Sequence, residues 1–321
     1  MIGQYGGMPT FYYLPTEKAG NSNCIFDPPV DADFIAIQGI MMMMTVTPSG
    51  QACGAAIRGL DLSRPLSAGE VEQIKRAWAE HHVLSFPDQG MNDDDLERFT
   101  GYFGKLGDDP FFRPIEGRQY IAAIARYADE KTPIFAESWH ADWSFKEQPP
   151  IGTCLLGITI PPAGGDTLFA NQHLAYQNMP EALKERIAGL NAIHSAVMAY
   201  SPDGLYGKPD PGVKSAMQPI ISDEARKTQT HPLVMTHPDN GRQAIYGCMG
   251  YTIGIEGIEQ GEAEALLREL HQWQSKEECV YRHKWQPGML IMWDNRSVLH
   301  AATGGFEGYD RLLHRTTIWP Y

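Results

Sequence analysis

The sequence predicts a mainly β protein with flanking helices (α+β), of the antiparallel sandwich or jelly-roll type. Three observations point there. Short apolar runs bounded by Gly, Pro, Asp or Asn recur along the chain, the helical segments do not alternate regularly with them, and no Gly-rich phosphate loop follows a strand. A doubly wound parallel sheet is thereby disfavoured.

Residues 1–43 carry Gly3, Gly6, Gly7, Pro9, Pro15, Pro28 and Pro29 and show no helix or strand period, yet they hold six aromatics. They are expected to be a poorly ordered N-terminal extension or the product of a misassigned start, with Met44 a plausible chain start. The competing reading is an arm packed on a neighbouring subunit. Residues 44–321 are expected to form a single domain. Ser67-Ala-Gly-Glu has the spacing of a capping box, and Val71, Ile74, Ala77 and Trp78 share one face, so a helix is expected from there to about His81. Val83–Pro87 then reads as a short strand, and Asn92 caps a second helix with Leu96, Phe99 and Phe103 on one side. Pro180 opens a third helix, and Glu262 to Trp273 is a fourth with Ala265, Leu266 and Leu270 inward. Strands are expected at 152–160, 192–199, 231–237, 243–246, 288–293 and 312–319.

Composition narrows the function. The 321 residues hold 39 acidic against 26 basic side chains, a formal charge of −13, with no Lys/Arg-rich run, which argues against nucleic acid and anionic membranes as partners. No apolar run approaches the roughly 18–20 residues that cross a bilayer. Five unpatterned cysteines and the lack of a secretion signal fit a reducing cytoplasm. A small-molecule substrate and a homo-oligomer are the remaining expectations for partners.

The segment Trp139-His-Ala-Asp places His140 and Asp142 two residues apart, on one face if extended, where imidazole and carboxylate could grip one metal ion. A His-x-Asp alone is weak evidence. His300 in Trp293-Asp-Asn-Arg-Ser-Val-Leu-His supplies a third ligand, and two histidines with one carboxylate leave open positions on non-haem Fe(II). Arg311 and Arg315 follow, four apart and so on one face, where a guanidinium can hold a carboxylate bidentately.

At this point the chain resembles the TauD/TfdA family of Fe(II)- and 2-oxoglutarate-dependent dioxygenases. The resemblance runs in order from Met44 onward through Gly59-Leu-Asp-Leu-Ser-Arg-Pro-Leu-Ser, Val83-Leu-Ser-Phe-Pro-Asp-Gln, Phe103-Gly-Lys-Leu, Trp139-His-Ala-Asp, Gly164-Gly-Asp-Thr, His231-Pro-Leu-Val-Met-Thr-His-Pro and Trp293-Asp-Asn-Arg-Ser-Val-Leu-His. It implies a double-stranded β-helix (jelly roll), Fe(II) held by His140, Asp142 and His300, and O2 and 2-oxoglutarate as cosubstrates. It further implies that Thr167 and Arg311 bind the far carboxylate of 2-oxoglutarate, with Arg315 supporting it or contacting the substrate. Substrate hydroxylation with release of succinate and CO2 follows from the same likeness.

The substrate is less defined. Where members acting on taurine carry a His and a Tyr, this chain has Asp109 and Phe112, which puts taurine in doubt. Asp109, Phe112, Trp143 and Arg315 are the substrate-binding candidates; Phe111, Phe112, Trp143 and Phe145 could form an aromatic wall or be ordinary core. An organic anion, a sulfonate, aryloxyalkanoate or other carboxylate, is the leading class through Arg315, whereas Asp109 facing the pocket would favour an amine. The alternative enzyme is a zinc-dependent cupin-like hydrolase or isomerase using the same three ligands. Arg311 and Thr167 argue against it, since such a hydrolase has no use for a carboxylate clamp. The other histidines, among them His82, His173, His194, His231, His237, His283 and His314, read as hydrogen-bonded structural residues.

Overall fold

The computed structural model of the chain describes residues 43–208 and 212–321, so the expected extension over 1–43 lies, Met43 apart, outside the described residues. Its largest sheet has eight strands. Seven follow one another in the order Thr45–Pro48, Ala55–Arg58, Val83–Phe86, Leu290–Asp294, Gly152–Thr159, Arg311–Trp319 and Lys105–Leu106, and Ala122–Arg126 also pairs with Arg311–Trp319. A three-stranded sheet joins Val280–His283, Thr167–Asn171 and Val298–Ala302; another joins Thr252–Ile255, Asn191–Ser195 and Thr228–Pro232. The sheets stay open rather than closing into a barrel. All pairings are antiparallel except that of Ala55–Arg58 with Val83–Phe86.

The strand Leu290–Asp294 shows why its residues read as an unbroken apolar run: both faces are covered, so alternation disappears. Leu290 and Met292 pack outward with Ile74, Trp78, Leu96 and Phe99 of the two N-terminal helices. Ile291 and Trp293 point the other way, into a cluster with Leu155, Phe169, Val298 and Leu313 between the large sheet and the three-stranded one. Fully burying each of these side chains contributes about 1.5–3 kcal/mol.

The helix Ala68–His81 starts as its sequence predicts, with Ser67 accepting from the Glu70 N–H and Glu70 reaching back to the Ser67 N–H. Asp93–Gly101 begins with the same reciprocal arrangement between Asn92 and Asp95. The C-terminal helix is longer than expected, Gln260–Gln274, and its inward face is Ala263, Leu266 and Leu270; Ala265 is exposed. The expected strand over 192–199 stops at Ser195 and gives way to the helical turn Val197–Tyr200, where Ser195 Oγ accepts from the Val197 N–H. Residues 231–237 divide at Leu233 into the end of one strand and Val234–Thr236.

Candidate active site

His140 and His300 are brought together by their own backbones: the N–H of each donates to the carbonyl of the other, at 3.0 and 2.8 Å. His300 sits in mid-strand opposite Phe169. The His-x-Asp segment is not a regular strand, as the sequence suggested, but this single bridge followed by a turn in which Trp143 has φ +50°. The bridge fixes His140, and the turn aims Asp142 back at it. Asp142 Oδ1 lies 3.9 Å from His140 Nε2 and 3.7 Å from His300 Nε2. The three ligand atoms all fall within 4.8 Å of one another. Two donors each at roughly 2.1 Å from one ion can stand up to about 4.2 Å apart, so the two measured separations suit a shared ion.

The surroundings prepare these donors. His140 Nδ1 meets the Ser138 carbonyl at 2.8 Å, which places the proton on Nδ1 and leaves the Nε2 lone pair facing the other two residues. Burial pushes the His300 imidazole down to about 3, so it is neutral at ordinary pH and its lone pair is not taken by a proton. Burial alone would raise the Asp142 carboxyl, but His300, Arg315, His140 and the Thr153 hydroxyl together hold it below the usual carboxylate range. Thr153 Oγ1 donates to Asp142 Oδ2 at 2.6 Å, leaving Oδ1 to face the two imidazoles. Asn295 ties this arrangement together, accepting from Trp293 Nε1 at 2.9 Å and donating to Thr153 Oγ1 at 3.1 Å. Sequence reasoning quoted Asn295 inside its motif yet assigned it no role.

Beside the trio lies a cavity of about 390 Å³ whose lining includes Thr167, Arg311, Arg315 and Trp143 with the three ligand candidates. Arg311, Leu313 and Arg315 alternate inward in the first half of the last strand, where buried positions recur every second residue. Arg311 is buried with a single polar contact, Nη2 to the Gly165 carbonyl at 3.1 Å, and its Nε has none. Burial pulls its guanidinium down to about 10. The turn beneath it requires glycine: Gly164 has φ +72°, and a Cβ there would stand 2.1 Å from the Gly305 carbonyl oxygen. Thr167 accepts from Trp285 Nε1 at 3.0 Å, so its own hydroxyl proton is left to donate.

Arg315 differs. Its guanidinium forms a buried ion pair with Asp109 and lies 5.0 Å from the Trp143 ring centroid and 5.4 Å from that of Phe112. Asp109 in turn accepts from the N–H groups of Phe111 and Phe112, each at 3.1 Å. Asp109 and Phe112 therefore stand behind the cavity wall, whereas Trp143 and Arg315 are part of it. Phe111 and Phe145 belong to the aromatic cluster around Trp143. Further lining residues, Phe135, Tyr200, Leu205, Tyr206 and Tyr251, came from segments without any sequence signal, while Met198 lies in the run 192–199 expected to be a strand.

Two histidines and a carboxylate on one side of a sandwich cavity, with a buried unpaired guanidinium across it, define the non-haem iron oxygenase class that takes a dicarboxylate cosubstrate. The residues fit that metal and cosubstrate. Comparison with known proteins makes the assignment specific. Residues 45–317 match the model of the taurine catabolism dioxygenase TauD, TfdA family, and the chain belongs to that family. It is similar to the alpha-ketoglutarate-dependent sulfate ester dioxygenase of Pseudomonas putida, 30% identical over 86% of this chain and 89% of that one. The alpha-ketoglutarate-dependent 2,4-dichlorophenoxyacetate dioxygenase of Cupriavidus pinatubonensis is 31% identical over 86% and 98%. A crystal structure of a taurine dioxygenase from Burkholderia xenovorans superposes with a TM-score of 0.70 at 29% identity, covering 87% and 90%. The chain is thus an Fe(II)- and 2-oxoglutarate-dependent dioxygenase of jelly-roll fold, with O2 as the second cosubstrate.

Proposed function

We propose that this enzyme hydroxylates a C–H bond of a small organic substrate, with His140, Asp142 and His300 as the iron ligands and Arg311 and Thr167 as the receptor for the far carboxylate of 2-oxoglutarate. The observation that carries the reading is the pairing of three converging donors with Arg311, a buried guanidinium that no carboxylate of the described residues engages. A hydrolase built on the same ligands has no need of such a cation.

Fe(II) with 2-oxoglutarate and O2 supplies the oxidation: one oxygen atom enters the substrate, and the other enters the succinate formed as CO2 leaves. The protein's own part is placement. Arg311, itself buried, opposes one negative charge of the cosubstrate, and Thr167 adds a donor whose orientation Trp285 fixes. Thr153 and Asn295 hold the Asp142 carboxylate to one presentation. The apolar wall keeps water from the reacting carbon, and a hydroxylated carbon bearing an ether, amine or sulfonate group would then collapse and release it.

A sulfonate, aryloxyalkanoate or other carboxylate is the expected substrate if Arg315 is open to a second anion. Arg315 already faces Asp109, so the reading is kept to a small organic molecule fitting the cavity. Anaerobic addition of Fe(II) and 2-oxoglutarate is expected to give the visible metal-to-ligand charge-transfer band, and Asp142→Ala to abolish it. No band in the wild type, with tight zinc binding instead, would overturn the reading.

A further inference from the structure

Arg311 and Arg315 are the only cations among the described residues lining the cavity, and they are in opposite states. Among the described residues Arg311 has no carboxylate partner; Arg315 has Asp109. Asp166, the carboxylate next in sequence to Arg311's carbonyl contact, is drawn away to Arg282 at 3.1 Å. On the substrate side the remaining polar groups are neutral. Burial drives the phenols of Tyr200 and Tyr251 well above their ordinary range. Around them stand Phe135, Trp143, Met198, Leu205 and Tyr206.

We propose that Asp109 is a specificity determinant: by compensating Arg315 it makes this cavity select a substrate that is uncharged next to its reacting carbon, in place of the organic anion that a free Arg315 would receive. The inference rests on the dioxygenase reading. With the divalent ion opposed by Asp142, the cosubstrate dianion opposed by the ion and Arg311, and Asp109 opposed by Arg315, the loaded cavity is electrically balanced before substrate enters. A further anion would be desolvated without an unshared cation to meet it, and Asp109 behind Arg315 would repel it. An uncharged body of similar shape incurs neither cost. Asp109 is not adrift in this arrangement, because the Phe111 and Phe112 N–H groups anchor its other oxygen. The ion pair is therefore built into the loop that carries it.

The test uses the Fe(II)- and 2-oxoglutarate-loaded enzyme under argon, with isothermal titration calorimetry of two isosteric pairs: phenoxyacetamide against phenoxyacetate, and hexanesulfonamide against hexanesulfonate. The charge-transfer band reports separately that the loaded site has formed, so failure of the dioxygenase reading is seen as a missing band. With the band present, the wild type is expected to bind the uncharged member of each pair at least about tenfold tighter. Asp109→Asn should raise affinity for the charged members about tenfold or more, and Asp109→Asn combined with Arg315→Gln should restore the preference for the uncharged ones. Equal or tighter wild-type binding of the charged members overturns the proposal, as does no detectable binding of the uncharged ones. So does an unchanged preference in Asp109→Asn; if that variant does not fold, the wild-type ratio decides.

Discussion

Arg311→Met separates what this guanidinium does for the cosubstrate from what it does to the fold, because the two effects have opposite signs. The drop from an ordinary 12.5 to about 10 under burial corresponds to roughly 3 kcal/mol of destabilisation of the charged form, at about 1.4 kcal/mol per tenfold. Against this stands its one hydrogen bond, to the Gly165 carbonyl at 3.1 Å, worth about 1.5 kcal/mol for a charged donor. Methionine is unbranched and apolar, and the Trp285 and Phe306 rings that flank the guanidinium give it a suitable setting. The metal-free, cosubstrate-free variant is therefore expected to be about 1–2 kcal/mol more stable than wild type, a rise in Tm of roughly 2–6 °C. Cosubstrate binding moves the other way. Loss of two charge-assisted hydrogen bonds at about 1.5–3 kcal/mol each weakens 2-oxoglutarate by at least about 100-fold. Calorimetric melting of the apoprotein and anaerobic titration of the charge-transfer band measure the two quantities independently. An apoprotein that melts below wild type, or a variant that still binds 2-oxoglutarate within a few-fold, would refute the reasoning.

Thr153→Val removes the hydroxyl that donates to Asp142 Oδ2 and should cost about 10–100-fold in Fe(II) affinity, read by metal titration, while the fold is retained. Arg282→Ala frees Asp166 from its 3.1 Å partner; a carboxylate released so close to Arg311 should compete for it and weaken 2-oxoglutarate several-fold, in a salt-sensitive way, whereas unchanged affinity would show that Asp166 does not reach. Burial holds five imidazoles outside the candidate ligand trio below the ordinary 6.5, His82 and His194 at about 3, His173 and His283 at about 4, with His271 lowered as well. Because the unfolded chain then binds more protons than the folded one, their contribution is fully present above about pH 6.5 and is lost as pH falls towards 4. Urea denaturation of the apoprotein at pH 7 and pH 5 should show a clear loss at the lower pH, and a flat profile would contradict it.

How much of this was readable in advance follows from the range of the interactions. Capping at Ser67 and Asn92 is local, and both helices begin where the sequence puts them. Strand 290–294 is sheathed on both faces and 152–159 along most of its length, so continuous apolar runs revealed them, whereas in 311–319 Leu312, Leu313 and Ile318 are interleaved with Arg, His and Thr. Thr167–Asn171 and Val280–His283 escaped because a polar first residue and a charged Arg282 break the pattern that periodicity needs. Ala265 was placed inward in error because Ala263 and Ala265 are equally apolar, and only the phase set by Leu266 and Leu270 against neighbouring strands chooses between them. The ligand candidates and Arg311 were legible through short motifs. The cavity walls around Phe135, Leu205 and Tyr206 were not, because loop residues with neither period nor ligand chemistry become walls only when long-range packing folds them over the site.

The two arginines show where sequence reading must stop. They are the same residue type on the same strand face, four apart, each buried, and nothing local distinguishes them. Their chemistry is set by what the rest of the chain places opposite. Across from Arg311 the chain supplies a glycine turn with no side chain to offer and an aspartate turned towards Arg282. Across from Arg315 it supplies Asp109, anchored by two backbone N–H groups and therefore unable to leave without breaking its own turn. A cation that has no partner in the folded protein is costly unless an incoming anion completes it, while one already paired gains little from another. On the proposed reading the same physical rule makes one arginine a receptor and the other part of the wall, and the difference lies in residues remote in sequence from both.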